Sequence, residues 1–218
     1  AQIYTDITLF TSNKEILDDV SKIFDFIEIN YKKTNYNQLF ISPFKTKSVF
    51  KKLIKDEIKN AKKGREAWIK IKLNSITNYE MIEELYKASV EGVKIKMIIR
   101  GICCLIPENT EYSANIEAKS IVDKYLEHTR FFIFCSGNKN KTYISSADWM
   151  TRNLENRIEV TCPIFDNDNK KEILDIFDIY WSDNIKSRKL NSSHINEYSK
   201  NAKEILQSQN LVYNYYLK

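Results

Sequence analysis

Glycine and proline are scarce in this sequence, with 4 Gly and 3 Pro among 218 residues. This scarcity excludes a collagen-like or flexible-linker protein and favours long helices and strands over an all-β fold with many tight turns. Long apolar runs are also missing: Arg100 interrupts the longest, Met97–Ile106, so no membrane span is predicted. The chain opens, at AQIYTDITLF, with neither an initiating methionine nor an apolar signal segment, which predicts a fragment of a longer protein.

Cysteines are few, and their spacing argues against a metal site. The sequence contains no C-x-x-C pair, so a zinc ribbon is not expected, and no metal-binding residue is predicted. All four cysteines are predicted to be small buried apolar residues in a reducing compartment: Cys103, Cys104, Cys135 and Cys162.

The charge balance is only mildly basic. Lys and Arg number 34 against 29 Asp and Glu, which gives a net charge of +5. Scattered, solvated lysines account for such an excess, so it permits a polyanionic partner without requiring one. With 43% hydrophobic residues the chain has the composition of a folded globular protein rather than a disordered one.

Hydrophobic spacing predicts alternating helices and strands. Helices are predicted at 13–28, 44–63, 79–91, 166–183 and 196–216, and strands at 38–42, 67–73, 93–99, 130–134, 141–146 and 156–165. The order from 67 to 99 is a βαβ unit, which implies a parallel strand pair. The turn SGNKN joins 130–134 to 141–146 as a hairpin. Without a repeat or a linker, one α/β domain is the simplest fold.

Arg100 and His128 are the first candidates for chemistry. Arg100 follows a predicted parallel strand, where an anion-binding crevice is expected; a surface ion pair is the alternative. His128 has Arg130 beside it, and an imidazole next to a guanidinium can bind or protonate a phosphate oxygen. The alternative is an ordinary histidine at a strand edge. The other histidine, His194, has no such neighbours and is predicted to lie on the surface.

A third candidate is the polar segment 145–160, SSADWMTRNLENRIEV, which directly follows a predicted strand. Its candidate site residues are Ser145, Ser146, Asp148, Arg152 and Asn153. Such a density of hydrogen-bonding groups predicts a loop that binds a polar ligand or organises its neighbours through buried pairs such as Arg157 with Glu159.

Six blocks of the sequence carry a specific resemblance to a known family. They are IYTDITLFT, KLNSI, GVKIKMIIRGICCLIP, SIVDKYLEH, YISSADWMTRNLENRIEV and ILDIFDIYWSD. In this order they resemble the C-terminal part of bacterial polyphosphate kinases of the histidine-phosphorylating type. The segment after Leu190 is less distinctive.

The resemblance implies a fold and an activity. The expected fold is a single phospholipase-D-like α/β domain over 1–190, with a mixed sheet flanked by helices, and a helical extension over 191–218 packed on the same domain. The implied activity is reversible transfer of the terminal phosphate of ATP to inorganic polyphosphate, with Mg²⁺. The family's active site lies between two such domains, and its phosphohistidine is expected upstream of this chain, which is therefore expected to be inactive alone.

The resemblance also implies the partners. They are ATP or ADP, inorganic polyphosphate and the upstream catalytic domain of the same protein; nucleic acid is not expected. The full-length enzyme is expected to be a homo-oligomer in the bacterial cytoplasm, with peripheral membrane association as an alternative.

Three residues match functional positions of the family. Tyr4 in IYTD matches a tyrosine that contacts ATP, Arg100 in IIRG an arginine that binds nucleotide or phosphate, and His128 in YLEH the second active-site histidine. An aromatic face suits adenine, a guanidinium suits phosphoryl oxygens, and an imidazole can move a proton. Residues 128–130 also resemble a degenerate H-x-K motif with Arg in place of Lys.

Two other function classes stay open from the sequence. A phospholipase-D-like phosphodiesterase requires the full H-x-K-x₄-D signature, whereas residue 130 is Arg and residue 135 is Cys. A non-catalytic module that binds polyanions is the other class, since half of a site can bind without turnover.

Overall fold

The computed structural model describes residues 3–29, 35–193, 195–199 and 204–217. The strands in these ranges are β1 (Tyr4–Thr5), β2 (Phe40–Ser42), β3 (Trp68–Leu73), β4 (Lys94–Ile99), β5 (Ile116–Ile121), β6 (Leu126–Glu127), β7 (Phe131–Phe134), β8 (Lys141–Ser145), β9 (Glu159–Ile164) and β10 (Ser187–Leu190). The helices are α1 (Lys14–Glu28), α2 (Thr46–Lys62), α3 (Tyr79–Val90), α4 (Asn167–Ser182) and α5 (Ser208–Tyr216). A short π-helical turn, Arg152–Asn156, precedes β9.

A mixed sheet forms the centre of the fold, with strand order β10-β5-β4-β3-β7-β8-β9-β2. β3, β4 and β5 run parallel, and the other neighbours pair antiparallel. The predicted βαβ unit is therefore confirmed as β3–α3–β4, and the predicted hairpin as β7–β8. β1 and β6 form a separate two-stranded parallel pair.

Helices cover both faces of the sheet. α2 and α3 pack on one face and α4 packs on the other. β7 shows this division, because Phe132 and Phe134 join the core under α2 and α3, whereas Phe131 and Ile133 join the core under α4. A central strand buried on both faces reads as a continuous apolar run, which explains the sequence FFIF. The predicted α/β fold with a mixed sheet flanked by helices is confirmed.

Two strands of the central sheet, β5 and β10, were not predicted from the sequence patterns, and neither was the short β1–β6 pair. β5 reads IEAKSI, and its charged residues obscure the apolar pattern of a strand. Parallel pairing with β4 fixes its register. β10 reads SRKL and is a strand because it pairs antiparallel with β5. Long-range pairing, rather than local composition, determines both.

The helix predicted over 196–216 is wrong for its first half. Residues 196–199 instead run beside β10 and bond to it through two backbone hydrogen bonds of 2.8 Å. α5 begins only at Ser208, because the fully buried Asp183 carboxylate accepts from the Ser208 N–H at 2.7 Å and from its hydroxyl at 2.6 Å. Burial acts to raise the pKa of Asp183, but these bonds together with backbone N–H donors hold it below its ordinary value.

Some predictions have no structural outcome. His194 and residues 200–203 lie outside the described residues, and the proposed domain boundary at residue 190 stays a prediction. Among the helices of the described ranges, none is both long and apolar enough to cross a membrane.

The cysteines are less buried than predicted. Cys135 is buried, Cys103 and Cys162 are partly buried, and Cys104 is exposed; all four are free thiols. Cys104 differs from Cys103 because Cys103 forms a β-bridge with Ile76, and successive residues of extended chain point to opposite sides. Burial raises the pKa of Cys103 and Cys162 to about 11, so both thiols stay protonated near neutral pH.

Candidate active site at the strand ends

One edge of the sheet collects most of the polar residues that the sequence singles out. β3 and β4 end there, and β7 begins there because it runs antiparallel to β3, with Lys72 opposite Phe131. β8 ends at the same edge, since Ile144 pairs with Phe131. Four groups of residues follow or precede these strand ends: Asn74, Arg100, His128–Arg130 and Ser145–Ser146. The carboxyl ends of parallel strands are where ligands bind in open α/β sheets.

His128 is held beside the β1–β6 pair. It follows β6 directly, and its N–H donates to the Thr5 carbonyl at 3.2 Å. The Tyr4 ring meets the His128 ring edge to face, with centroids 5.1 Å apart. The His128 side chain is 34% exposed and Tyr4 is exposed, so both rings can contact a ligand.

The two ring nitrogens of His128 have different partners. Nδ1 lies 3.2 Å from Asp6 Oδ2, and Nε2 lies 3.4 Å from Arg130 Nη2. In the neutral ring, this arrangement favours the proton on Nδ1, where Asp6 accepts it, and leaves Nε2 as the acceptor beside Arg130. Nε2 is then the nitrogen that can accept a proton from a bound phosphate or return one to it.

Arg130 is fixed by Asp148. The guanidinium donates to both carboxylate oxygens, from Nε to Oδ1 at 3.1 Å and from Nη2 to Oδ2 at 3.2 Å. Nη1 donates to the His128 carbonyl at 3.1 Å. The Asp148 Oδ1 atom also accepts from the Asn74 N–H at 2.7 Å and from the Ser75 N–H at 3.2 Å. Asp148 therefore organises the site through Arg130 and the end of β3.

Arg100 joins the same group through Asn74. Its Nε donates to Asn74 Oδ1 at 3.0 Å, and Asn74 Nδ2 donates to the His128 carbonyl at 3.3 Å. Among the residues that the structure describes, no carboxylate pairs with Arg100, and neither Nη atom has a hydrogen-bond partner. The alternative interpretation of Arg100, a surface ion pair, is therefore not observed among those residues. The terminal nitrogens of Arg100 can bind an anion.

Gly101 allows the chain to pass close to β3. Its N–H donates to the Asn74 carbonyl at 2.7 Å. A Cβ at this position would lie 3.0 Å from that oxygen and 3.1 Å from Ser75 Oγ. A larger residue would therefore displace Asn74, through which Arg100 and His128 are linked.

The polar segment after β8 organises its neighbours, but through a different pair from the one predicted. Arg157 is exposed, and Glu159 instead accepts from the Ser146 hydroxyl and, at 2.6 Å, from Asn153 Nδ2. Glu159 is the first residue of β9, and these two neutral donors bind its carboxylate. The predicted ion pair with Arg157 is therefore not needed. Arg152 lies exposed on the π-helical turn, with no hydrogen-bond partner in the described ranges.

Ser145 turns the chain at the end of β8. Its hydroxyl lies 2.7 Å from the Thr161 hydroxyl and accepts from the Ala147 N–H at 3.0 Å. Its own N–H donates to the Arg130 carbonyl at 3.0 Å. The β8 end is therefore bonded to Arg130, two residues after His128.

An open cleft of about 320 Å³ is lined by four of the candidate site residues, His128, Arg130, Ser145 and Ser146. Its lining residues are Asp6, Ile7, His128, Thr129, Arg130, Ile144, Ser145, Ser146, Val160 and Cys162. The cleft combines imidazole, guanidinium and hydroxyl groups, and its thiol is protonated. It can hold an oxyanion and exchange a proton with it. Tyr4, Arg100, Asp148, Arg152 and Asn153 lie outside its lining.

Asp6 and Asn74 are site residues that the sequence patterns missed. Asp6 stands two residues after Tyr4 in the IYTD motif, and Asn74 directly follows β3 in KLNSI. Both lie in blocks that carry the family resemblance, which is the signal that could have found them. Their partners are distant in sequence, so composition alone does not reveal the contacts.

Comparison with known proteins identifies relatives over nearly the whole chain. The family model "Polyphosphate kinase C-terminal domain 2" matches residues 39–209. The polyphosphate kinase of Klebsiella pneumoniae is 41% identical over 214 residues, which cover 98% of this chain and 31% of that protein. The polyphosphate kinase of Vibrio cholerae is 40% identical over 216 residues, covering 99% of this chain and 31% of that protein. The chain thus spans about a third of the length of these relatives.

Solved structures agree with this result. The crystal structure of polyphosphate kinase from Porphyromonas gingivalis superposes with a TM-score of 0.96 at 39% identity, covering 100% of this chain and 34% of that one. Nuc from Salmonella typhimurium, a phospholipase D family member, superposes with a TM-score of 0.51 at 13% identity, covering 71% of this chain and 97% of that one. The second likeness shows the fold alone.

Proposed function

The chain belongs to the polyphosphate kinase family, whose second C-terminal domain it matches, and we propose that it supplies one half of a site that transfers phosphate reversibly between ATP and inorganic polyphosphate. The single observation that carries this proposal is the placement of Nε2 of His128 3.4 Å from Arg130 Nη2 in an open cleft. A proton-transferring group and a fixed guanidinium, side by side, are what a transferring phosphoryl group requires.

Five of the candidate residues have distinct parts in this proposal. Tyr4 presents an exposed ring to the adenine, Arg100 binds phosphoryl oxygens with its free Nη atoms, and His128 assists by moving a proton at Nε2. Arg130 stabilises the negative charge that develops on the transferring group. Asp148 holds Arg130, so it acts through that residue rather than on the substrate.

The remainder of the site is proposed to lie in the upstream catalytic domain, including the histidine that becomes phosphorylated. The proposed assembly is a homo-oligomer of the full-length enzyme, whose substrates are ATP or ADP and inorganic polyphosphate. The chain's coverage of about a third of its relatives supports a larger, multidomain protein.

The described residues of this domain offer few ligands for Mg²⁺. The described part of the chain contains no cluster of three or more His, Cys, Asp or Glu residues that could hold a metal ion. Asp148 already accepts hydrogen bonds from Arg130 and from two backbone N–H groups. Mg²⁺ commonly binds substrate phosphates with only one or two carboxylates, so we propose that the ion accompanies ATP and is held chiefly by the phosphates.

A direct test is ATP formation from ADP and polyphosphate. A full-length enzyme that carries this chain is expected to form ATP, whereas the 218-residue chain alone, at equal concentration, is expected to form none, because half of the site is missing. Failure of the full-length enzyme would refute the proposed activity. Turnover by the chain alone would show that the whole site lies within these residues.

A further inference from the structure

A buried polar connection runs from the centre of the sheet to α5, directly behind His128. Lys72 Nζ lies 3.2 Å from Glu127 Oε2, and Gln209 Nε2 donates to Glu127 Oε1 at 2.7 Å. These three residues, the buried triad, are 2%, 2% and 7% exposed. None of them lines the cleft, so the triad is not explained by contact with a ligand.

The triad contacts both sequence neighbours of His128. Glu127 precedes the histidine and is held through its side chain, while the carbonyl of Thr129, which follows it, accepts from Lys72 Nζ at 3.2 Å. Lys72 belongs to β3, which lies between β4 and β7 in the middle of the sheet. One ammonium group on a central strand therefore contacts the residue on either side of the imidazole, through the Glu127 side chain and the Thr129 carbonyl.

Gln209, on α5, adds further hydrogen bonds to the segment that precedes His128. Its side-chain amide accepts from the Tyr125 N–H at 3.0 Å and donates to the Tyr125 carbonyl at 2.9 Å, in addition to the bond to Glu127. The residue before it, Ser208, is anchored to the buried Asp183. α5 is thus fixed to the domain on one side and to the β6 segment on the other.

Strand pairing alone is too weak to place His128. β1 and β6 contribute only two residues each and form a sheet of their own. Isolated two-stranded pairs are marginal in water, so the β6 segment depends on other contacts for its position. The buried triad provides such contacts.

Stability alone is a poor explanation for the triad. Burial lowers the pKa of Lys72, and the ion pair with Glu127 acts in the opposite direction. Apolar residues of similar volume in place of a buried ion pair often leave stability unchanged or increase it. A buried polar network can instead specify one arrangement of the chain around it.

We propose that the buried triad positions His128 for the transfer step, and that Gln209 makes α5 part of the site. The inference rests on the proposed function, because the step that it serves is phosphate transfer at Nε2. Lys72, Glu127 and Gln209 are positioning residues: they act through His128 and do not contact the substrate.

The first test is Gln209→Leu in the full-length enzyme. The change removes the amide with little change in volume, and kcat for ATP synthesis is expected to fall by about 10- to 100-fold, with the KM values for ADP and polyphosphate nearly unchanged. The control is Asn210→Leu, at the exposed neighbouring position, whose side chain has no hydrogen-bond partner but Gln207 among the described residues. Equal kcat in the two variants would overturn the proposal.

The second test separates positioning from stability. In the combined variant Lys72→Met, Glu127→Leu, Gln209→Leu, the apolar replacements are expected to preserve the melting temperature while kcat still falls at least about tenfold. Unchanged stability together with unchanged kcat would overturn the proposal. If the combined variant fails to fold, the comparison of Gln209→Leu with Asn210→Leu decides.

The third test needs no catalytic activity. In the 218-residue chain with His194→Gln, imidazole ¹⁵N–¹H spectra report on His128 alone. The parent is expected to show the tautomer protonated at Nδ1, bonded to Asp6, and Gln209→Leu is expected to average the two tautomers. An unchanged spectrum would overturn the positioning role. A changed spectrum in a protein without phosphate transfer would overturn only the proposed function.

Discussion

Replacement of Arg100 by alanine in the full-length enzyme is expected to lower the rate of ATP formation from ADP and polyphosphate by about 10²- to 10³-fold. The Nε of Arg100 is occupied by Asn74, but its Nη atoms have no partner among the described residues and are available to phosphoryl oxygens. Arg100→Lys is expected to restore little, because a point charge does not reproduce the planar pair of donors. Steady-state rates with all three proteins test this directly.

Arg65→Ala is the matched control. Arg65 is exposed and precedes the start of β3, whereas Arg100 lies at the edge where β3 ends. β3 has six residues and spans roughly 20 Å. Arg65→Ala therefore removes a guanidinium at the opposite edge of the sheet from Arg100. The control is expected to keep the parental rate. Near-normal turnover in Arg100→Ala would show that the crevice assignment is wrong.

His128→Ala is expected to reduce turnover by about 10²- to 10⁴-fold, the usual contribution of a positioned acid or base. The fold and nucleotide binding are expected to persist, because the apolar run 131–134, rather than the half-exposed imidazole, provides the burial of β7. Turnover, nucleotide affinity and melting temperature of the same preparation separate the two effects.

His128→Gln distinguishes two roles of the imidazole. Glutamine can donate a hydrogen bond but cannot transfer a proton, so its rate is expected to remain close to that of the alanine variant. Recovery of most activity would assign His128 to phosphate binding. An unchanged rate in His128→Ala, or a collapse of the melting temperature together with activity, would make the residue structural.

Local patterns were sufficient for much of the framework. Apolar periodicity and a short turn predicted the βαβ unit β3–α3–β4 and the hairpin β7–β8, because these elements pair with close neighbours in sequence. The same patterns placed Arg100 and His128 beside strand ends, and the structure has them at one edge of the sheet.

Long-range contacts explain what the patterns missed. Asp6 meets His128 across 122 positions, and Gln209 meets Glu127 across 82, so neither contact leaves a local signature. The start of α5 depends in the same way on Asp183, which lies 25 positions before Ser208. The predicted Arg157–Glu159 pair failed because Ser146 and Asn153 satisfy Glu159 from outside its own strand.

The most direct test of the central claim, that this domain assists a phosphate transfer whose phosphohistidine lies elsewhere, is to locate labelled phosphate on the enzyme. After incubation with ATP labelled at its terminal phosphate, the full-length protein is expected to carry acid-labile, alkali-stable label on a histidine outside these 218 residues. The 218-residue chain alone is expected to remain unlabelled. Stoichiometric label on His128, in either protein, would contradict the account.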